Sequence, residues 1–281
     1  MRDFYIFLGA TTRCADFRDP TAVSRIMEPE AFFCVDAGMT KDLKPQGKRS
    51  TQSDVTGFLA KVEKRKTSLA TQKREPGKAC RLVFAMDATA SRQPMWDSAC
   101  HLQVEMFNAT TAQQNLSVQV CYYRGYQEFT TSPWLHNSEA VREKMCSVSC
   151  LGGYTQIHKV LSHTLLETKN NKVQALVFVG DAMEEDLDKL CQLAGKLGIL
   201  NIPVFIFQEG NDPKVRQAFQ QIAHLSGGAY AAFDASSAKE LGALLGAAAA
   251  YASGGKKALE QFSLSQSSKV KQLVHQITQA P

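Results

Sequence analysis

The stretch Leu82-Val83-Phe84-Ala85-Met86-Asp87-Ala88-Thr89-Ala90-Ser91 decides the fold of this 281-residue chain. Five apolar residues run straight into Asp87, and a short all-apolar run of this kind is typical of a buried strand in a parallel sheet. Ligands of open α/β sheets bind beyond the carboxyl ends of the strands, which is where Asp87, Thr89 and Ser91 lie. One carboxylate and two hydroxyls form an all-oxygen set that suits a hard cation such as Mg²⁺ rather than Zn²⁺.

Beyond this stretch, apolar strands alternate with helical patterns, which indicates βαβ units and a parallel sheet. Further strands are predicted at residues 118–123, 173–179, 203–207 and 229–233, with a short antiparallel edge strand at 127–131. Helices are predicted at residues 94–111, 138–146, 156–168, 186–197, 212–225 and 237–252, and an amphipathic one in the tail. We therefore expect an α/β fold: a doubly wound, mostly parallel sheet with one short antiparallel edge strand and helices on both faces.

The positive charge of the chain is unevenly placed. The formal net charge is +5, yet residues 39–81 hold 12 Lys and Arg against 4 Asp and Glu, whereas residues 82–260 hold 14 against 17. The basic character therefore belongs to a leader, not to the predicted folded body. A nucleic-acid or acidic partner of this leader is one interpretation. A solvated linker is the favoured one, because aromatic residues are almost absent there.

Four segments follow from the pattern. Residues 1–38 show no sustained period and are of doubtful status: one hypothesis is that the native chain starts at Met39, and the alternative is a short N-terminal strand or hairpin. Residues 39–79 are predicted to be a basic linker with a short helix, residues 80–255 the main domain, and residues 256–281 a tail whose Val270, Leu273, Val274 and Ile277 form a helical stripe.

Composition points to a cytoplasmic protein. No apolar run approaches the roughly 18 residues that a membrane-spanning helix needs, and the apolar residues 4–10 are short for a secretory signal. Eight cysteines are scattered through a long chain, which is typical of reduced thiols rather than of a disulfide scaffold. Cys146 and Cys150 lack a second pair at zinc spacing, so we expect them to be structural.

Two later segments extend the oxygen-rich pattern. Thr155 follows a Gly-Gly-Tyr loop that opens a helix, and Asp181 follows the most apolar strand of the chain. Together with Asp87, Thr89 and Ser91, these positions resemble the metal-ion-dependent adhesion site of von Willebrand factor A domains, of a bacterial cytoplasmic type. The family signature is D-x-S-x-S after the first strand, a threonine before a helix and an aspartate after the fourth long strand. The likeness covers about residues 80–255; Thr89 replaces the commoner serine but keeps the hydroxyl.

The resemblance implies a role for each residue. Thr89 and Ser91 would bind Mg²⁺, with Mn²⁺ as a substitute, directly. Asp87 and Asp181 would act largely through metal-bound water, and Thr155 directly or through water depending on state. An acidic residue of a protein partner would then complete the metal shell. The predicted rim of the site is Arg92, Gly153, Tyr154 and Glu184. The alternative for Asp87 is a helix cap, and for Asp181 a turn residue.

Three functions remain open at this point. The first is a non-enzymatic, Mg²⁺-dependent protein-binding module, an adaptor or assembly factor for which the resemblance implies AAA+ ATPases among the partners. The second is a metal-dependent phosphatase-like hydrolase, which is disfavoured because Thr89 stands where such enzymes need a second aspartate. The third is a ribonucleoprotein-associated scaffold that uses the basic leader. The chain has no Walker phosphate loop and no G-x-S-x-G elbow. A shift of the last helix of the domain with the state of the site is a further analogy.

Overall fold

The computed structural model describes residues 79–93, 116–234 and 238–279. Four predictions lie outside these residues: the N-terminal extension, the basic leader with its short helix, the helix at 94–111 and the cap of the last domain helix at Ser236 or Ser237. The predicted domain boundaries therefore stay predictions.

Six strands form one sheet in the order β3-β2-β1-β4-β5-β6. Among the strands that the structure describes, only the β2–β3 pair is antiparallel, and the other four pairs are parallel. This arrangement confirms the predicted doubly wound sheet with one short antiparallel edge strand. The strands are β1 (Cys80–Asp87), β2 (Leu116–Arg124), β3 (Glu128–Thr131), β4 (Ala175–Gly180), β5 (Val204–Glu209) and β6 (Ala229–Phe233).

The central strands are apolar on both sides because both faces of the sheet are covered. Side chains alternate along a strand. In β1, Leu82, Phe84 and Met86 therefore join one apolar cluster, and Val83 and Ala85 join the other. The helices are α1 (Ser138–Cys146), α2 (Ile157–Asn170), α3 (Leu187–Ile199), α4 (Pro213–Leu225), α5 (Ala238–Ser263) and α6 (Ser268–Gln279). The first cluster also contains apolar residues of α1, α5 and α6, and the second contains those of α2, α3 and α4.

Three helices begin within a residue of their predicted starts, each after a side-chain cap. The side chains of Asn137, Asp186 and Asp212 accept hydrogen bonds from backbone N–H groups in the first turns of α1, α3 and α4. Each carboxylate or amide oxygen satisfies donors that the helix itself leaves without partners. The capping residue before each of these helices thus determines where the helix starts.

The end of α5 differs from the prediction. The Gly254-Gly255 pair was expected to end this helix, and the backbone does leave the helical region at Gly255, where φ is 71°. Helix then resumes and continues to Ser263. The resumption has a packing reason, because Leu259 is buried and Phe262 packs against the same apolar cluster. The glycine therefore makes a kink rather than a terminus.

Helix α6 covers the open edge of the sheet. Val270, Leu273 and Ile277 of the predicted stripe are buried. Gln276 pairs with the backbone of the edge strand β6: its Oε1 accepts from Tyr230 N at 2.8 Å and its Nε2 donates to Tyr230 O at 3.0 Å. Lys269 Nζ donates to the carbonyl oxygen of Ala232 at 3.1 Å. Side chains thus replace a missing neighbouring strand.

Arg81, Trp134 and Glu167 form a polar cluster at the amino end of β1, whereas Asp87 lies at its carboxyl end. The guanidinium of Arg81 lies 3.6 Å from the ring centre of Trp134 and donates to Glu167 Oε2 at 2.7 Å. The indole Nε1 of Trp134 donates to the same oxygen at 3.1 Å. β1 and α2 are thereby joined at their far ends, because Arg81 begins the strand and Glu167 lies in the last turn of the helix.

No helix among the described residues is long and apolar enough to cross a membrane. The described cysteines, among them Cys146 and Cys150, are free thiols.

Candidate functional site

The strand order reverses between β1 and β4, and the two aspartates of the predicted site lie there. The chain leaves β1 toward β2 on one side, whereas β4 is followed by β5 on the other side. Asp87 is the last residue of β1, and Asp181 follows the last residue of β4. A side-chain carbon built on Gly180 would lie 3.7 Å from Cβ of Asp87. The two carboxyl groups therefore share the crevice in which doubly wound sheets bind ligands.

Hydrogen bonds join four of the five predicted ligands in a chain. Thr89 N donates to Asp87 Oδ1 at 2.8 Å. The hydroxyls of Thr89 and Ser91 are 3.3 Å apart, and Ser91 Oγ donates to Asp181 Oδ2 at 3.0 Å. The tight turn after β1, with its 3₁₀ segment Ala90–Arg92, places both hydroxyls toward Asp181. Helix capping would account for the contact at Asp87 but not for the contact between Ser91 and Asp181.

Asp87 is fully buried and rests on a tyrosine. Tyr123 OH, also buried, donates to Asp87 Oδ2 at 3.1 Å. Burial raises the pKa of Asp87 above its ordinary value, and the negative charge of Asp181 adds to this, whereas the hydrogen bonds from Thr89 and Tyr123 oppose it. Burial together with the charge of Asp87 raises the pKa of Tyr123. The phenol therefore stays protonated and acts as a fixed donor beneath the carboxylate.

One oxygen of Asp181 has no partner. Its Oδ1 is buried and accepts no hydrogen bond from any residue that the structure describes. Buried polar atoms rarely lack a hydrogen-bond partner, and a bound ion or water is a common reason for an exception. The remaining groups are neutral hydroxyls and one further carboxylate, which is the donor set of a hard divalent cation. The residues present therefore fit the magnesium ion that the fold family implies.

Thr155 lies in a different loop, where Glu184 holds it. Glu184 N donates to Thr155 Oγ1, and Thr155 N donates to Glu184 Oε2, each at 3.1 Å. Thr155 is buried. Among the described residues it stands outside the hydrogen-bonded chain of the other four ligands. These two hydrogen bonds connect Thr155 to Glu184, which lies three residues after Asp181 in the chain.

Glu185 caps the helix that Thr155 precedes. Its carboxylate accepts from the backbone N–H groups of Ile157 and His158, the latter at 3.0 Å. The N-cap residue Gln156 makes no capping hydrogen bond with its own side chain. Burial raises the pKa of Glu185, while its hydrogen bonds from α2 oppose that shift. The loop after β4 thereby caps α2 from outside, which fixes the two loops against each other.

The predicted rim residues have different surroundings. Gly153 and Tyr154 are exposed. Glu184 is also exposed, but its carboxylate is engaged by Thr155 N rather than free for a partner. Nothing is described for the side chain of Arg92.

Sequence reasoning missed Tyr123 and Glu185. Tyr123 is the last but one residue of β2 and pairs in register with Asp87 across the sheet, a contact that depends on strand register rather than on a local pattern. Glu185 directly precedes the helix predicted at residues 186–197, so its sequence position suggests a role at the start of α3. Only the fold shows that this carboxylate serves α2 instead.

The described residues contain no group of three or more His, Cys, Asp or Glu side chains placed to hold a metal. A transition-metal centre built from such ligands is therefore not found in this part of the chain. Asp87, Thr89, Ser91 and Asp181 form a different kind of site, which combines two carboxylates with two hydroxyls.

No protein-family model matches this chain, and no curated protein matches it. Solved structures do match. The proximal thread matrix protein 1 of the mussel byssus is 16% identical, with a TM-score of 0.50 over 61% of this chain and 48% of that protein. A von Willebrand factor type A protein from Catenulispora acidiphila is 14% identical, with a TM-score of 0.49 over 62% of this chain and 43% of that one.

The SpRpn10 VWA domain is 13% identical, with a TM-score of 0.47 over 55% of this chain and 87% of that domain. The chain spans about half the length of the mussel protein. Identities this low speak for the fold alone. The described six-stranded sheet with its single antiparallel edge strand is a Rossmann-like α/β fold.

Proposed function

We propose that this chain is a non-enzymatic protein-binding module that holds Mg²⁺ and uses it to bind an acidic residue of a protein partner. Asp87, Thr89, Ser91, Thr155 and Asp181 would hold the ion. The observation that carries the proposal is the buried, unpartnered Oδ1 of Asp181 beside the hydrogen-bonded hydroxyl of Ser91. A bound cation would give this oxygen the partner that it lacks.

The roles of the residues follow from their contacts. Ser91 and Thr89 supply neutral oxygens beside the two carboxylates, so the ion would keep part of its positive charge. Tyr123 fixes the orientation of Asp87, and Glu184 fixes Thr155. When bound, Mg²⁺ would supply an electrostatic attraction for a carboxylate of the partner. Among the described contacts, the hydroxyls of Thr89 and Ser91 bond each other and Asp181 but no histidine or lysine base, which favours binding over catalysis.

The form of this function that we propose is an adaptor or assembly factor in the cytoplasm, with an AAA+ ATPase as the partner class. The resemblance to von Willebrand factor A domains supports that partner class. A proteinaceous partner also agrees with the wide use of this fold as an interaction module.

The proposal is tested by calorimetric titration of the full chain with Mg²⁺ and Mn²⁺. Wild type should bind one ion, and Asp87→Ala or Thr155→Ala should bind none. Thr278→Ala is the matched control, because Thr278 is an exposed threonine of α6 whose hydroxyl only bonds Val274 O. Circular dichroism of each variant checks that the fold is retained. Stoichiometric binding by a folded Thr155→Ala variant would refute the assignment of this residue.

A separate assay addresses the enzyme alternative. Wild type should show no turnover of a generic phosphate monoester in Mg²⁺. Turnover that is present in wild type and lost in Asp87→Asn would contradict the non-enzymatic proposal.

A further inference from the structure

Three large apolar side chains are exposed on the two loops that border the site. Tyr126, Leu151 and Tyr154 are 82%, 53% and 66% exposed. Tyr126 lies in the turn between β2 and β3, and the other two lie in the loop that leads to Thr155. Single exposed apolar residues need no explanation, but a group of them on neighbouring loops is typical of an interaction surface.

Backbone contacts place this group beside the predicted metal ligands. Leu151 N donates to the carbonyl oxygen of Ala88, the residue after Asp87, at 3.0 Å. Gly125 N donates to Leu151 O at 3.2 Å. Tyr154 directly precedes Thr155 in the chain. The three side chains therefore surround one flank of the site rather than a distant part of the surface.

The two loops are fixed in place. A side-chain carbon built on Gly153 would lie 2.0 Å from the carbonyl oxygen of Gly125, so the two backbones touch. Lys159 Nζ donates to Gln127 O at 2.7 Å and to Gln156 Oε1 at 2.8 Å, which joins the β2–β3 turn to the start of α2. Exposed tyrosines on a rigid support lose little entropy on binding, and they are the residue type enriched among binding hot spots.

Lys159 places a positive charge beside Tyr126, whereas Glu184 places a negative charge next to Tyr154. Within the described residues, Lys159 contacts two neutral oxygens and makes no ion pair. Arg124, at the base of the turn, is paired with Glu128. The unneutralised ammonium of Lys159 complements an acidic segment. The group thus borders a predicted carboxylate-binding ion on one side and a fixed cation on another.

We infer that Tyr126, Leu151 and Tyr154 form a docking platform for the apolar side chains of an acidic protein segment. A carboxylate of the segment reaches the metal site, its neighbouring apolar residues pack on the platform, and Lys159 favours a further acidic residue. This inference rests on the proposed function. It adds that the partner motif is both acidic and apolar, and that Tyr126 determines its affinity without contacting the ion.

The test is a selection from a random-peptide display library on the full chain in Mg²⁺. Enriched peptides should contain Asp or Glu with aliphatic or aromatic neighbours. For the best peptide, Tyr126→Ser should weaken binding by about tenfold or more. Calorimetric Mg²⁺ affinity should be unchanged in this variant, because the side chain points to solvent. Ile199→Ser is the matched control: Ile199 is 71% exposed at the end of α3 and lies away from both loops.

Three outcomes would contradict either the docking platform or the proposed function. Mg²⁺-dependent peptides that lack apolar residues, or that bind Tyr126→Ser as well as wild type, would overturn the platform and leave the metal site intact. Selected peptides that bind equally in EDTA and to Thr155→Ala would contradict the proposed function itself. Failure to enrich any peptide, with Mg²⁺ binding intact, would also overturn the platform.

Discussion

The carboxylate of Asp181 has surroundings that would suit a bound cation. Its Oδ1 is buried without a partner, and its negative charge acts on the buried Asp87. Asp181→Asn removes the charge while it keeps the shape. We expect this variant to be more stable than wild type in EDTA, by about 1 kcal/mol, the usual size of a relieved polar conflict. Residues that serve binding often carry such a cost in stability.

The measurement is urea unfolding of both proteins in EDTA and in excess Mg²⁺. In Mg²⁺ the order should reverse, because only wild type gains from the ion. A variant that is less stable than wild type under both conditions would show that Asp181 is a structural residue.

Gly153 is the residue at which a side chain is least tolerable near the site. Gly153→Ala would force its Cβ to within 2.0 Å of Gly125 O, a backbone atom that cannot rotate away. We expect a loss of about 1–3 kcal/mol, as for other overpacked positions, with a weaker Mg²⁺ affinity because the loop carries Thr155. Gly152→Ala is the control, since nothing lies within 4 Å of its added carbon. Equal stability of the two variants in thermal unfolding would contradict this account.

At this scale the sequence indicates a motif whose metal-binding role stays a prediction, and it does not reveal the residues that hold the motif in place. The spacing of Asp87, Thr89 and Ser91 after an apolar strand was sufficient to find the first loop. Tyr123 and Glu185 act through contacts between segments that are 36 and 28 residues apart. No local pattern encodes such contacts, because they depend on strand register and on the path of a loop.

Among the elements, α6 has a role that its amphipathic pattern does not reveal. Gln276 makes both hydrogen bonds that a neighbouring strand would make to Tyr230. Gln276→Ala should therefore destabilise the protein by about 1 kcal/mol and make the β6 edge more prone to pair with another molecule. Urea unfolding and light scattering measure the two effects. Gln272→Ala, on the exposed side of the same helix, should change neither; similar values for both variants would refute the edge role.

Helix α2 is joined to β1 by an ion pair whose strength depends on pH. Burial alone would raise the pKa of Glu167, but the hydrogen bonds from Trp134 and Arg81 and the charge of Arg81 together outweigh it and lower that pKa. A lowered folded-state pKa adds stability above the unfolded value of 4.5, and this stability is lost as the pH falls through the folded value. Wild type should thus exceed Glu167→Gln in stability at pH 7.

We expect this difference to be about 1 kcal/mol at neutral pH, as for a partly screened pair, and to shrink as the medium is made more acidic than the unfolded value. Thermal unfolding of both proteins across that range measures it. A difference that does not depend on pH would show that the charge of Glu167 is not what stabilises the contact.

Most elements were predictable because their signals are local. Apolar runs marked the strands, and Asn137, Asp186 and Asp212 marked three helix starts. The continuation of α5 beyond Gly255 was not predictable in this way. There a backbone signal for termination competes with the burial of Leu259, and only the position of the apolar cluster decides which one prevails.

For the whole molecule, ion binding and folding should be linked. Four of the predicted ligands come from two segments, the loop after β1 and the residue after β4, that meet only in the folded sheet, so the unfolded chain has no equivalent site. At free Mg²⁺ of about 100 times the dissociation constant, the folded state should gain about 2.7 kcal/mol. Thermal unfolding at constant ionic strength should show a midpoint that rises with Mg²⁺ in wild type. A rise of equal size in Thr155→Ala would mean that the ion acts elsewhere.

The stacked pair of Trp134 and Arg81 also provides an optical probe. The chain has two tryptophans, so Trp96→Phe would leave Trp134 as the single indole. This ring lies beside the amino end of β1, and the strand rises by about 3.3 Å per residue toward Asp87 at its other end. Its fluorescence would therefore follow global unfolding but should stay constant when an ion or peptide binds at the opposite end of the sheet. A single emission signal could then separate loss of the fold from occupation of the crevice.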